Sequence, residues 1–200
     1  MNPNQGSLAK AIVTKERDVR THAELWHTAN CLLEAGQKEA TGSAHQFRAS
    51  LIFRAFYLEA FANWVGQHLV THWSYLERLS PKEKLDFING LLKLNPDYST
   101  RPWQIVKGIF DFRNYLAHGK PEQLKQESVA DVDDYLDKKL GQTALTQWEA
   151  FGTESNAMKA REDVGEIAEL IYKEANFDHA GIRGPFAFGG QTHSATLAKP

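Results

Sequence analysis

The feature that most constrains the fold is a long segment, residues 43–79, in which apolar side chains recur around most of a helical circumference. They fall at helical spacing, with few charges between them. A helix with so broad an apolar surface must be covered by other elements on several sides. We therefore expect this segment to be the most buried helix. Its apolar positions are Phe47, Leu51, Phe53, Phe56, Tyr57, Ala60, Phe61, Trp64, Val65 and Leu69.

Other segments carry recognisable helix boundaries. Ser80 and Pro81 suit the N-cap and the first position of a helix, and Glu83 completes a capping box. This helix should run to about Leu94, because a proline follows closely. Apolar periodicity predicts further helices over residues 7–40, 100–118, 131–140, 143–151 and 155–176.

The pattern as a whole predicts an all-α fold, an up-and-down helical bundle with additional C-terminal helices. No segment alternates apolar and polar residues long enough to predict a strand. Residues 7–176 would form the helical domain. Residues 177–200 are rich in glycine, and we interpret them as a C-terminal tail that is ordered only by packing on a partner.

Composition excludes several classes of protein. The formal net charge of −2 argues against a broad basic field, so any contact with nucleic acid must come from a local patch. Cys31 is the only cysteine, which excludes an intrachain disulfide and fits a reducing cytoplasm. His68 and His72 have the spacing of a metal pair but lack a neighbouring carboxylate, so we expect no metal. With no signal peptide and no membrane-length apolar run, we expect a cytoplasmic protein without a membrane partner.

The candidate site lies in residues 111–119, DFRNYLAHG. Arg113, Asn114 and His118 stand at the end of an otherwise apolar helix. Arginine is a permanent cation with five donors and is suited to binding phosphate. Histidine can accept or donate a proton near neutral pH. This combination is what RNA cleavage without a metal requires.

Each of these side chains has a chemical use. Arg113 can hold the scissile phosphate and stabilise the additional negative charge of the transition state. His118, favoured as a cation by the C-terminal end of its helix, can remove a proton from a ribose 2′-OH or donate one to the leaving 5′-oxygen. Asn114 can orient the phosphate or the imidazole. Attack by the 2′-OH would leave a 2′,3′-cyclic phosphate and a 5′-hydroxyl, with no cofactor.

The spacing of the motif constrains where the site can form. On a regular helix, Arg113 and His118 lie about 140° apart around the axis. They converge only if the helix ends or unwinds at Ala117, or if another chain completes the site. A two-fold homodimer would bring two Arg–His pairs together and supply both an acid and a base. A homodimer that binds RNA is one of the two arrangements that would complete the site.

The motif resembles the signature of HEPN-domain proteins, Arg-x4–6-His with a polar residue, often Asn, after the arginine. The specific part of the resemblance is residues 112–119, within the helical domain of residues 7–176. It implies a composite cleft at a dimer interface and a toxin or phage-defence ribonuclease, with an antitoxin such as a nucleotidyltransferase as a possible partner. The family also has non-catalytic members. The alternative is therefore a non-catalytic module that binds RNA, a nucleotide or a protein.

The second predicted helix also resembles the long helix of that family. Glu59 and Asn63 lie one turn apart on it. Glu59 would brace Arg113, and Asn63 would support the same site. Burial with satisfied internal hydrogen bonds is the structural alternative for both residues.

Structural alternatives also exist for the motif itself. Arg113 can form only a salt bridge, with Glu59 or Asp111, while His118 binds the last carbonyls of its helix. A third class of function, a purely structural or interaction subunit, would follow from that arrangement. The five tryptophans are interpreted as core or interface anchors.

The bare Arg–His spacing is not specific to this motif. Arg17 and His22, and likewise Arg20 and His27, satisfy the same spacing inside the first predicted helix. We interpret both pairs as part of a charged, solvated face.

Overall fold

The structure, a computed structural model, describes residues 11–125, 127 and 144–197, and these residues are mostly helical. This confirms a helical protein. The predicted helix over residues 131–140 lies outside the described residues. In chain order the elements are β1 (Ala11–Arg17), α1 (Thr21–Lys38), α2 (Ser43–Leu69), a 3-10 turn (Trp73–Tyr75), α3 (Pro81–Leu91), α4 (Gln104–Ala117), α5 (Gln147–Phe151), α6 (Glu154–Glu174) and β2 (Gln191–Leu197).

Helix α2 is the centre of the fold. It packs against α1, α3, α4 and α6, as its broad apolar surface predicts. Leu51, Leu58 and Phe61 are fully buried in the resulting core. The α6 helix contributes a buried stripe of small and branched residues, Ala157, Ala160, Val164, Ile167, Ala168 and Ile171.

The predicted capping box at the start of α3 is confirmed. Glu83 donates its backbone N–H to the Ser80 hydroxyl at 3.4 Å, and the Ser80 N–H donates to the Glu83 carboxylate at 2.8 Å. A second capping box joins Thr146 and Glu149 at the start of α5. This places the start of α5 at Gln147 rather than at residue 143, because the cap residue itself is extended.

The second helix ends ten residues earlier than predicted, at Leu69 rather than Leu79. Val70 is extended, and the chain turns back so that the Trp73 indole packs over Gly66, where no side chain obstructs it. Trp73 is 2% exposed, and its Nε1 donates to Asn63 Oδ1 at 3.4 Å. Burying the Trp73 indole stabilises the protein more than about three further turns of α2 would. The periodicity of the segment does not reveal this long-range contact.

We expect Gly66→Ala to destabilise the protein by about 2 kcal/mol, since overpacking a filled core typically has a cost of this size. A Cβ at residue 66 would lie 2.3 Å from Trp73 ring atoms, so the indole would have to move. Gly90→Ala is the matched control, because a Cβ there meets nothing within 4 Å. Denaturant unfolding of both variants measures the difference. Equal stability of the two variants would contradict the packing described here.

The predicted first helix over residues 7–40 is wrong in its N-terminal part. Residues 11–17 form β1, which pairs antiparallel with β2, Ala11 opposite Leu197 and Arg17 opposite Gln191. Ile12 and Val13 are more than half exposed, so the ladder, not burial, holds this segment. The run of β-branched side chains favours a strand. The expectation of no strand fails because the pairing partner lies far away in the sequence.

Residues 177–188 contact the helical core of their own chain, and residues 191–197 pair with β1. Phe177 is 3% exposed, and the Phe186 ring stacks on Trp26 with 4.2 Å between centroids. The Tyr172 hydroxyl donates to Asp178 at 2.6 Å. The described part of the predicted tail is therefore ordered by contacts within the chain, and β2 is its last described element.

Arg54 is a cation in the core of α2. It is fully buried, its guanidinium stacks 3.9 Å from the centre of the Trp26 ring, and its Nη2 donates to Asn30. Burial lowers the pKa of Arg54 to about 9. Each helix in the described part of the chain is too short or too polar to span a bilayer.

Candidate functional site

Three helices bring charged side chains together around one carboxylate. Glu59 of α2 accepts from Arg113 Nη2 of α4 at 3.1 Å and from Lys84 Nζ of α3 at 3.4 Å. The Glu59 and Arg113 side chains are 28% and 22% exposed, whereas Lys84 is 3% exposed. Two cations and one carboxylate leave one positive charge at a half-buried position. An anion at this position would be attracted to it.

Lys84 is the member of this cluster that the sequence analysis missed. A signal was present, because Lys84 and the core residue Ile88 lie four residues apart on one face of α3. A lysine in the apolar stripe of a short helix needs a buried partner. Glu59 supplies it.

Aromatic rings enclose the Arg113 guanidinium. The centres of the Phe56 and Phe110 rings lie 5.7 Å and 5.8 Å from its central carbon. Arg113 Nε is buried and has no hydrogen-bond partner among the described residues. The side chain is thus held by one carboxylate and two rings, with donor capacity left for a further acceptor.

Asn114 and His118 lie at the exposed end of α4. The helix ends at Ala117, as one of the two conditions for convergence requires, and His118 leaves the helical conformation with φ −114° and ψ 17°. Its backbone N–H donates to the Asn114 carbonyl at 3.0 Å. Among the described residues, no side-chain hydrogen bond joins Arg113, Asn114 and His118. The structure therefore presents the three groups without assembling them within one chain.

These contacts bear on the structural alternative to a functional site. Its salt bridge between Arg113 and Glu59 is present, while Asp111 pairs instead with Lys107. His118, however, makes no side-chain bond to a carbonyl within the ranges that the structure describes, so its imidazole is available to solvent. The structural account explains the arginine and leaves the histidine without a role.

Among the described residues, Asn63 makes no hydrogen bond to the cluster around Glu59. Its Oδ1 accepts from Trp73 Nε1, so its bonded partner lies at the end of α2. Asn63 and Glu59 are half-buried, one turn apart on the same helix. The supporting role predicted for Glu59 has a matching contact in the structure, whereas that of Asn63 has none.

The interpretation of His22 and His27 as a solvated face is wrong. His22 is 2% exposed, and its ring packs 4.7 Å from the Trp64 ring. His27 Nε2 lies 3.2 Å from the Phe186 carbonyl, and its ring stacks on Phe188. His22 faces inward because it packs against α2, and His27 is covered by residues 186–188. Periodicity within the first helix shows neither contact.

We expect His22 to make the stability of the protein pH-dependent. Burial above all, followed by the charge of Arg20, lowers its pKa from 6.5 to about 4, with Asp18 opposing and His68 adding to the shift. Because the unfolded chain binds the proton first, stability is complete above pH 6.5 and falls as the pH approaches 4. The loss should be about 2 kcal/mol between pH 7 and pH 5.

Denaturant unfolding across this pH range tests the prediction. His22→Gln should remove most of the slope, whereas His45→Ala, which alters an exposed histidine, should leave it unchanged. A wild-type slope that survives in His22→Gln would assign the effect to other groups.

No group of three or more His, Cys, Asp or Glu residues in the described ranges is placed to hold a metal. His68, one of the two histidines at metal spacing, donates from Nδ1 to the Trp64 carbonyl at 2.8 Å, and its ring packs against Phe177.

No protein-family model, curated protein or solved structure matches the chain.

Proposed function

We propose that the protein is a metal-independent endoribonuclease of HEPN type that acts as a homodimer. Arg113 binds the scissile phosphate, His118 transfers protons, Asn114 orients the reacting groups, and Glu59 braces the arginine. Attack by the ribose 2′-OH gives a 2′,3′-cyclic phosphate and a 5′-hydroxyl. One observation carries the proposal: an exposed imidazole, without a side-chain partner among the described residues, follows the end of the same helix that holds a braced, partly exposed arginine.

The charges around Glu59 support the role of Arg113. A lone arginine beside a carboxylate would form a neutral pair, but Lys84 shares the same carboxylate. The remaining positive charge attracts phosphate, and the rings of Phe56 and Phe110 limit the rotation of the guanidinium. Such pre-organisation lowers the cost of stabilising a developing charge.

An apolar surface beside Arg113 supports a dimer. Phe56 is 38% exposed, and Ile52 and Phe53 on α2 and Leu116 on α4 are half-buried. The rings of Phe53 and Phe56 meet edge to face with centroids 6.2 Å apart. A second copy seated on this surface would bring its own α4 helix close to the first. The site then gains a second histidine, which supplies the missing acid or base.

Sedimentation of the wild type and of Phe56→Ser tests the dimer. We expect the wild type to sediment as a dimer and Phe56→Ser to shift toward monomer. Tyr75→Ser is the matched control, because Tyr75 is a 74% exposed aromatic residue elsewhere on the surface. A monomeric wild type would overturn the composite site.

The chemistry is tested with end-labelled RNA in EDTA. Wild-type protein should release fragments that end in 2′,3′-cyclic phosphate, whereas Arg113→Ala should release none at matched protein concentration. Arg78→Ala, which removes an exposed arginine, should cleave like the wild type. Cleavage that depends on an added divalent ion, or 3′-hydroxyl products, would contradict the proposal.

A non-catalytic module that binds RNA, a nucleotide or a protein is the second candidate. The 22% exposure of Arg113 and its existing ion pair favour it, because a braced arginine binds phosphate without any need for a base. Salt-sensitive RNA binding without products, weakened by Arg113→Ala but not by His118→Ala, would establish this module.

We also propose a role in growth control or phage defence. The protein would act in the cytoplasm and would be held in check by an antitoxin. Only the resemblance supports this role. Induced expression in a bacterial host would test it. The wild type should arrest growth, and His118→Ala should not. Growth arrest by both forms would separate toxicity from cleavage.

A further inference from the structure

A cavity of about 310 Å³ lies where the start of α1 meets the second half of α2. This volume is at the lower limit of small-molecule sites. Its polar lining comes from both helices, and the half-buried Trp64 ring forms its apolar wall. The cavity is separate from the cluster around Glu59, although Asn63, one of its lining residues, stands only one turn away on α2.

His22 is the unusual member of this lining. It is 2% exposed, and its Nε2 is buried without a hydrogen-bond partner among the described residues. A buried, unpaired nitrogen is costly and rare in folded proteins. Because the ring is neutral at physiological pH, it offers one donor and one acceptor and no charge. A ligand with a polar edge inside the cavity would satisfy it.

Two side-chain amides add matching groups. Asn63 uses its Oδ1 for Trp73, and its amide N–H groups have no hydrogen-bond partner among the described residues. Gln67 is exposed one turn further along α2. Amides offer a donor and an acceptor side by side, the pattern that base edges present. None of the residues that line this cavity is a carboxylate.

The rim of the cavity carries a guanidinium, that of Arg20, whose charge is paired with the Asp18 carboxylate. Arg20 is held in place by Asp18 at 3.1 Å and by the Arg183 carbonyl at 3.2 Å, and its guanidinium lies 5.5 Å from the centre of the Trp64 ring. Helix α1 starts there without a side-chain cap, so its first N–H groups add partial positive charge. A phosphate attached to the ligand would find hydrogen-bond donors at this rim, from Arg20 and from the first N–H groups of α1.

We propose that the cavity binds a nucleobase, namely that of the RNA nucleotide next to the phosphate held by Arg113. His22, Asn63 and Gln67 contact the base edge, and Trp64 covers the base. One helical turn, about 6 Å, separates Asn63 from Glu59, so a single nucleotide spans both places. The assignment to RNA rests on the proposed function; the base-binding cavity does not.

Nucleoside binding tests the cavity without phosphate and without cleavage. Adenosine, guanosine, cytidine and uridine are titrated into the whole protein, and the side-chain amide signals of Asn63 and Gln67 are followed by NMR. We expect at least one nucleoside to bind. Ala60→Leu, which fills the cavity and keeps its polar groups, should weaken binding at least 10-fold. Gln67→Ala should weaken it about 5-fold, the effect of one hydrogen bond.

Two further variants separate the cavity from the cluster around Glu59. Gln104→Ala removes an exposed amide on α4 and should bind nucleosides like the wild type. Arg113→Ala, which we expect to abolish cleavage, should also leave nucleoside binding unchanged. No binding by any nucleoside, or binding that survives Ala60→Leu, would overturn the proposal, whatever the cleavage assay shows.

The RNA source of the base needs its own measurement. A 2′-O-methyl tetranucleotide, which cannot be cut by 2′-OH attack, should shift the same two amide signals and lose affinity in Ala60→Leu. If nucleosides bind and the tetranucleotide does not reach these amides, the ligand is a free nucleotide and the assignment to RNA is overturned. If the ribonuclease proposal fails, nucleosides will still bind to the cavity, but unmodified RNA will give no cleavage products.

Discussion

His118→Ala should lower the rate of RNA cleavage about 1000-fold, within the range that general acid–base catalysis contributes. Imidazole is the only one of the three motif side-chain types that serves as an acid and a base in proteins, because a guanidinium is a permanent cation and an amide is not ionisable. His118 is exposed and has no side-chain partner among the described residues, so its removal should not change stability. Single-turnover cleavage by wild type and variant, after circular dichroism has shown that both are folded to the same extent, measures the effect.

Two controls show whether the lower cleavage rate comes from the loss of the His118 imidazole and whether the histidines of both chains take part. His45→Ala removes another exposed imidazole and should cleave normally. Adding His118→Ala protein to the wild type should lower activity faster than dilution alone, because a mixed dimer has only one of the two histidines. A strictly linear response after subunit exchange would place the whole site within one chain.

Glu59→Ala should destabilise the protein by about 3 kcal/mol, because it removes the carboxylate from a buried lysine. Lys84 is 3% exposed, and Glu59 is its only hydrogen-bond partner among the described residues. The variant should also lose cleavage, since Arg113 loses the group that orients it. Urea unfolding at pH 7 and the cleavage assay measure the two effects separately.

Lys84→Met distinguishes the two roles of Glu59. Combined with Glu59→Ala, it removes the unpaired buried charge and should recover most of the lost stability. Cleavage should stay low, because Arg113 still lacks its brace. If cleavage returned together with stability, Glu59 would be a purely structural residue. If stability did not return, the Lys84 pair would not be the cause of the loss.

Local chemistry made much of the helical part predictable. The Ser80–Glu83 capping box and the apolar surface of α2 are encoded within a few residues, and both appear in the structure. The pairing of Glu59 with Arg113 is also present, although the charges alone had left Asp111 open as the partner and the resemblance had suggested Glu59. The capping box and the apolar surface depend on residues that are close together in the sequence.

Features that depend on distant covering residues were not predictable in this way. The burial of His22 follows from its contacts with α2, and the strand β1 exists because β2 pairs with it. The position of Lys84 carried a readable signal, but its partner lies 25 residues away on another helix. In each case the stabilising contact is made with a residue that is distant in the sequence, so the periodicity of one segment does not reveal it.

The pairing of β1 with β2 has a consequence for the order of folding. Ala11 meets Leu197 across nearly the whole described chain, so closing this ladder early would cost more conformational entropy than the two short strands return. We infer that the helices assemble first and that the ladder closes last. Since both strands lie outside the core, the ladder should also open first, and its amides should exchange with deuterium while those of α2 remain protected.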